Sequence, residues 1–297
     1  MSKFKAWVAA ARLRTLPLSI SGIIVGSSIA KDHPLFQTNI FLLAILTTIG
    51  FQVLSNFAND YGDGIKGVDD DREGEKRMVA SGLISAKQMK LGIIITASVT
   101  LFIAMILIYL AFGSKNMNDS LLFLALGISS IVAALKYTIG DNAYGYSGYG
   151  DVFVFLFFGL LSVLGSNYLF TLTIDWYLLL PASTIGLLCM SVLNLNNMRD
   201  IENDTKNNKK TLVVSIGLLK AKKYHYCIIL LAIVFALLYT LLNFNSIRQF
   251  IYVIAFVPLI FNLVTVCKNK NPKLLDGELK KVAISTFAYS LLFGFFN

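Results

Sequence analysis

Polar positions interrupt this chain at nearly even intervals, and the apolar runs between them have the length that a lipid bilayer requires. A helix crossing the hydrocarbon core needs about 20 apolar residues. Nine runs meet this at 15–31, 39–60, 90–112, 120–139, 151–172, 177–198, 224–243, 247–267 and 282–296, the last being the shortest. Each is predicted to be a membrane-spanning helix. The first run is expected to be retained rather than cleaved as a signal peptide. Arg12 and Arg14 stand where such a peptide needs an unbroken apolar core, and no small-residue cleavage site follows.

The polar connections alternate in basic charge. Counting from the N-terminal tail, every second connection is basic, and together these hold 23 of the 26 Lys and Arg residues. Only Lys31, Lys115 and Arg248 fall on the other side. Basic residues gather on the cytoplasmic side of membrane proteins, so the N-terminus is expected in the cytoplasm. The reading is an all-α integral membrane protein, one bundle of nine transmembrane helices forming a single domain over 1–297. Composition agrees. Of 297 residues, 56% are hydrophobic and 14% charged, too few charges to cover a water-facing surface, since soluble domains carry about 25%. The net charge of +9 sits in juxtamembrane loops, so nucleic acid is not expected as a partner. Cys189, Cys227 and Cys267 lie in apolar runs, and His33 and His225 are isolated. Zinc chemistry is therefore not expected.

Two acidic clusters stand out, both where a span running inward reaches the cytoplasmic face. The first holds Asn56, Asn59, Asp60 and Asp63, at spacings of three, one and three, with Gly64 and Gly67 following closely. If the second helix continues that far, these residues share one face, and the glycines end it. The second holds Asn196, Asn197, Asp200 and Asp204, again at helical spacing. A helix C-terminus disfavours carboxylates by roughly 0.3–1 kcal/mol each, so acids concentrated at two such ends imply an offsetting cation. Oxygen donors without His or Cys suit a hard ion such as Mg²⁺, which retains waters and binds substrate phosphates. Lys66, Arg72, Arg199, Lys209 and Lys210 lie close in sequence and suit an anionic ligand. On spacing alone, ordinary solvated loop charge accounts for Asp69, Asp70, Asp71 and Glu202. A third connection, from Tyr137 to Asp151, is rich in Tyr and Gly. Its tyrosines could line an aromatic pocket that stabilises a cation or form an interfacial belt, and spacing does not separate the two.

These residues resemble the UbiA prenyltransferase superfamily. The two acidic clusters, Asn59-Asp60-Tyr61-Gly62-Asp63 running to Gly67 and Asp69, and Asp200 with Asp204, look like its two Asp motifs. The 1,4-dihydroxy-2-naphthoate polyprenyltransferase branch is resembled more closely, through four stretches. They are Arg14-Thr15-Leu16-Pro17, the Asn56–Asp69 segment, Tyr144-Gly145-Tyr146 through Gly150-Asp151 to Gly159, and Asn196 to Asp200 running on to Lys209 and Thr211-Leu212.

The resemblance implies a UbiA-like fold and Mg²⁺-dependent transfer of a polyprenyl group from polyprenyl diphosphate to 1,4-dihydroxy-2-naphthoate. Diphosphate and CO₂ are lost and demethylmenaquinone forms, in menaquinone biosynthesis. Asp60, Asp63, Asp200 and Asp204 are its expected catalytic residues, joined as metal ligands by Asn59 and Asp69. Asn59, Lys66, Arg72, Tyr144, Tyr146, Asn197, Arg199 and Lys209 are expected to bind substrate. The active-site loops, about 59–89, 136–150 and 199–223, are expected at the cytoplasmic side of the cell membrane, with no obligate protein partner. Asn142 and Ala143 replace a basic residue and proline that the family usually has, leaving Lys136 as a possible substitute base, and Asn208 stands where glycine is common. Other aromatic acceptors, 4-hydroxybenzoate or homogentisate, are the nearest alternative. A cation-coupled transporter is disfavoured, because transport sites lie near the midplane on broken helices, whereas these acids sit at one face.

Overall fold

The computed structural model describes residues 2–67, 77–113, 116–141 and 143–297. Among them there is no strand, and nine helices are long and apolar enough to cross a membrane. They are α1 (Lys3–Ile29), α2 (Thr38–Ile65), α3 (Ala86–Phe112), α4 (Met117–Lys136), α5 (Gly150–Thr171), α6 (Trp176–Arg199), α7 (Leu218–Leu242), α8 (Ile247–Lys268) and α9 (Pro272–Phe296). The protein is an integral membrane protein. Its surface fits that solvent: Leu91, Ile94, Ile95, Val99 and Phe102 of α3 are all exposed, an arrangement that lipid accepts and water does not.

Several helices outrun their apolar runs. α1 begins at Lys3, α7 at Leu218 and α9 at Pro272, where 15, 224 and 282 were expected. Hydropathy ends an element at its first charges, but a backbone keeps its helical hydrogen bonds through polar turns. Lys220, Lys222 and Lys223 thus begin α7, and Asp276 and Glu278 occupy the first turn of the α-helical part of α9. α1 is broken at Arg12, which adopts a left-handed conformation (φ 48°). Asn56 of α2 secures that break, donating from Nδ2 to the Ala11 carbonyl at 2.8 Å and the Thr15 hydroxyl at 3.2 Å.

The chain forms two compact units. One comprises Met1–Leu16, Leu42–Tyr149 and Asn203–Thr211. Its core joins Ala6 and Ala10 of α1, Leu54 and Phe57 of α2, Met78 and Ile84 of the following connection, and Met89 and Ile93 of α3. The other comprises Pro17–Phe41, Gly150–Glu202 and Leu212–Asn297. Here α6 is central, packed by α5, α7 and α9, with Ile185, Leu188, Leu195 and Met198 inaccessible. α5 and α6 approach at glycine: a Cβ on Gly159 would lie 2.7 Å from the Gly186 Cα. A buried polar chain ties α7, α8 and α9, from His225 Nε2 to Asn262 Oδ1 (2.8 Å) and from Asn262 Nδ2 to Glu278 Oε2 (2.8 Å). Pairing buried polar groups with one another is what an apolar surrounding favours.

Candidate functional site

α2 does continue through the first acidic cluster, ending at Ile65, and Gly67 turns the chain out of it with φ 71°. Asn56, Asp60 and Asp63 are all buried. Their surroundings nonetheless assign them different tasks. Asp60 accepts main-chain hydrogen bonds on both oxygens, from the Met78 amide at 3.0 Å and the Val79 amide at 2.8 Å. Both oxygens thereby fasten the connection after α2 to the helix. Asn59 is engaged by the Thr138 hydroxyl, which donates to Oδ1 at 3.3 Å and to the Ala58 carbonyl at 2.9 Å. Gly62 makes room for Thr138, whose side-chain oxygen would lie 2.6 Å from a Cβ there.

Asp63 is the centre of a basic cluster. Its Oδ1 accepts from the Tyr146 hydroxyl at 2.7 Å. Its Oδ2 faces Lys209 Nζ at 3.5 Å and Arg77 Nη2 at 4.0 Å. Lys66 Nζ stands 4.1 Å from the centre of the Tyr146 ring, and Lys209 Nζ 5.1 Å from it. Lys66 also donates to the carbonyls of Thr138 (3.0 Å) and Gly140 (2.9 Å). Partial burial lowers the Lys66 pKa from its ordinary value, with Asp63 and Asp141 opposing and Lys209 reinforcing. Three cations thus gather about one buried carboxylate and one phenol. Such a cluster suits an oxygen-rich anion.

Lys209 reaches this cluster because the backbone around it is tightly turned. Its amide donates to the Asp204 carbonyl at 2.8 Å, and the Lys210 amide donates to the Tyr146 carbonyl at 3.2 Å. Asn208 takes φ 54°, a left-handed conformation that Asn tolerates better than most residues, which explains a glycine's usefulness there. Asp204 is buried in the same unit. Tyr144, expected at the substrate, points instead into α4: its hydroxyl donates to the Ala133 carbonyl at 2.9 Å and its ring meets Tyr137 edge-on. Burial raises its pKa.

In the other unit, α6 ends at Arg199 and the chain bends at Asp200 before a short helix, Ile201–Lys206. The two acids of the second cluster are therefore not successive turns of one helix, as their spacing had implied. Arg199 grips Asp200 with two parallel bonds, Nε to Oδ1 at 2.7 Å and Nη2 to Oδ2 at 2.9 Å. It also donates to Asn196 Oδ1 at 2.7 Å and to Asp276 Oδ1 of α9 at 2.6 Å. Asn197 is buried beside it on α6. Arg77, Thr138 and Asp276 were not anticipated. Arg77 is one of several bases in its connection, and nothing in local spacing distinguishes it. Asp69 and Arg72, expected to bind metal and substrate, lie outside the described residues, as does Asn142.

Among the described residues no three acidic, His or Cys side chains come together as a ready-made metal cage. Each acidic cluster offers hard oxygens already paired with cations, a donor set that fits an ion retaining most of its ligands as water and substrate phosphate.

The chain matches the UbiA prenyltransferase family over residues 19–288. It is 39% identical over 294 residues to the 1,4-dihydroxy-2-naphthoate octaprenyltransferase of Escherichia coli K12, covering 99% of this chain and 95% of that one. It is 40% identical to the Haemophilus influenzae protein of the same name, covering 98% and 95%. The fold is shared with a UbiA homolog from Archaeoglobus fulgidus solved bound to GPP and Mg²⁺ (TM-score 0.69, 14% identity, 97% and 99% covered). It is shared also with a UbiA homolog from Aeropyrum pernix K1 in its apo form (TM-score 0.72, 12% identity, 95% and 96% covered). This chain belongs to the UbiA prenyltransferase family.

Proposed function

We infer that this protein transfers a polyprenyl group from polyprenyl diphosphate to 1,4-dihydroxy-2-naphthoate, releasing diphosphate and CO₂, as a step of menaquinone synthesis. The observation that carries this reading is the gathering of Lys66, Arg77 and Lys209 about Asp63 and Tyr146. Near-40% identity to naphthoate prenyltransferases over almost the whole chain supports the acceptor.

In this reading Lys66, Arg77 and Lys209 bind the diphosphate and stabilise the charge that develops as the allylic C–O bond breaks. Donors already in place cost no reorganisation at that moment. Tyr146 holds Asp63 in its rotamer and offers its ring to the two ammonium groups. Asp63 and Asp204, with Asn59, would hold Mg²⁺ in the first unit and Asp200 would offer oxygens to Mg²⁺ in the other; the ion when bound neutralises leaving-group charge. Arg199, fixed by Asn196 and Asp276, keeps Asp200 in a defined position. Asp60 serves the site indirectly by anchoring the connection that brings Arg77 back. The basic loops argue for a cell-membrane protein with this site at the cytoplasmic side.

The test incubates purified protein and Mg²⁺ with a polyprenyl diphosphate and, separately, dihydroxynaphthoate, 4-hydroxybenzoate and homogentisate. The expected result is a prenylated, decarboxylated naphthalene and CO₂ from the first alone. Prenylation of only another acceptor overturns the acceptor assignment, and absence of any product overturns the transferase reading.

A further inference from the structure

Asp151 has no part in the chemistry assigned above, yet its burial requires a reason. It stands at the start of α5 with 5% of its surface exposed. Its side-chain partner is the Tyr224 hydroxyl of α7, which donates to Oδ1 at 3.0 Å. Among the described residues no Lys or Arg lies within ion-pair distance of it. A carboxylate withdrawn from water without a counter-ion is costly, and ionisable groups within membrane helices commonly serve function.

A second group points the same way. Asn194 of α6 is 1% exposed, and its Nδ2 donates to the Ala221 carbonyl of α7 at 3.1 Å. That carbonyl can only accept, which fixes the amide's orientation. Its Oδ1 is buried and, among the described residues, has no donor. Ala221 and Tyr224 are three residues apart on α7, so Asn194 and Asp151 address one turn of that helix. Helix register agrees. From the Gly159–Gly186 crossing, eight residues back along α5 reach Asp151 and eight forward along α6 reach Asn194, each about 12 Å away. π-helical turns at Phe155–Leu161 follow Asp151 by one turn, a distortion frequent at functional sites.

Asp151 keeps acceptor capacity beyond its bond from Tyr224, and Asn194 Oδ1 has no donor among the described residues; together they suit a ligand that brings two hydroxyls. Building on the dihydroxynaphthoate reading above, we propose that Asp151 accepts the proton of the acceptor's ring hydroxyl beside the alkylated carbon. Tyr224 holds the carboxylate in place, and Asn194 receives the second hydroxyl. The O–H bond breaks and its proton passes to Asp151. The oxygen pair becomes a C=O bond, and the ring π pair forms the new C–C bond to the allylic carbon. The C–O pair leaves with diphosphate. The bond to the carboxylate then breaks, CO₂ departs, its electron pair restores the aromatic ring, and the hydroxyl recovers its proton from Asp151.

The test uses the full-length protein in lipid nanodiscs. Binding of dihydroxynaphthoate and of 4-hydroxy-2-naphthoate, which lacks the reacting hydroxyl, is measured without prenyl diphosphate or metal. Wild type is expected to favour the dihydroxy compound by about tenfold or more, as for a hydrogen bond to a charged group. Asp151→Asn should largely erase that preference and lower kcat by about 100-fold, the scale of general-base catalysis, leaving KM for prenyl diphosphate unchanged. Tyr224→Phe should lower kcat less, in the same direction. Undiminished preference and kcat in Asp151→Asn overturn the proposal. Should that variant fail to fold, Asn194→Leu decides: unchanged affinity for the dihydroxy compound overturns it, and weakened affinity supports it. Failure of wild type to prenylate naphthoate refutes the function above, whereas the binding comparison stands apart from turnover.

Discussion

Replacing Asp60 with Ala removes one side chain but deprives two main-chain amides of their acceptor, those of Met78 and Val79. Met78 is buried and Val79 half-buried, so water cannot fully replace the lost oxygens. Hydrogen bonds to a charged acceptor contribute about 1.5–3 kcal/mol each. Taking the lower figure for both, because Val79 retains some solvent, gives a local destabilisation of about 3 kcal/mol. At 1.4 kcal/mol per factor of ten, the two amides should exchange hydrogen on the order of 100-fold faster. Hydrogen–deuterium exchange with mass spectrometry on a peptide covering 77–84 reads this directly. Asp60→Asn should have a smaller effect, since its carbonyl can serve one amide while its NH₂ group faces the other. Half-saturation by Mg²⁺ should be unchanged in Asp60→Asn, whereas Asp63→Asn should abolish Mg²⁺-dependent turnover. Unchanged exchange combined with a weakened Mg²⁺ response in the Asp60 variants would restore Asp60 to the metal and refute the assignment.

Lys209→Ala should raise KM for polyprenyl diphosphate by about tenfold or more, as for a hydrogen-bonded ion pair, and leave acceptor KM unchanged; steady-state kinetics with each substrate varied in turn checks this. Asp200→Asn should abolish Mg²⁺-dependent turnover with the protein still inserted, whereas Asp276→Asn should alter stability by no more than about 1 kcal/mol, because Asp276 is half-exposed and such pairs contribute little. Thermal unfolding in detergent, read beside activity, separates them. Gly159→Val should lower the unfolding temperature sharply, since backbone atoms of Gly186 and Ala182 lie within 3 Å of the added Cβ and neither can move aside as a side chain would.

The helices were legible because bilayer thickness imposes a length on every apolar run, and alternating basic loops restrict how runs are paired. Helix ends were less so. The first turn of α7 and that of the α-helical part of α9 carry Lys220 and Glu278, whose charges end an apolar run without ending a helix. The bend at Asp200 was hidden for a related reason. A spacing of four fits a helical face, but whether the backbone continues through it depends on Arg199, which binds Asp200, Asn196 and Asp276 together.

Asp60 and Asp63 show where the reading of a motif must stop. They are three residues apart on one helix, equally buried and identical in chemistry, and their spacing treats them alike. What divides their roles is what the chain brings back to each. Asp60 receives two peptide amides from a segment 18 and 19 residues downstream, and Asp63 receives a phenol 83 residues away and ammonium and guanidinium groups from separate connections. Neutral main-chain donors that bind both oxygens are part of the fold and are not given up to a ligand without loosening it. Side-chain cations are different: Lys209 at 3.5 Å and Arg77 at 4.0 Å face Asp63 beyond close hydrogen-bond distance, and a long side chain can turn toward a diphosphate while the backbone stays in place. A carboxylate whose partners can exchange is suited to a site that must bind and release charge at every turnover, and Asp63 meets that condition where Asp60 does not.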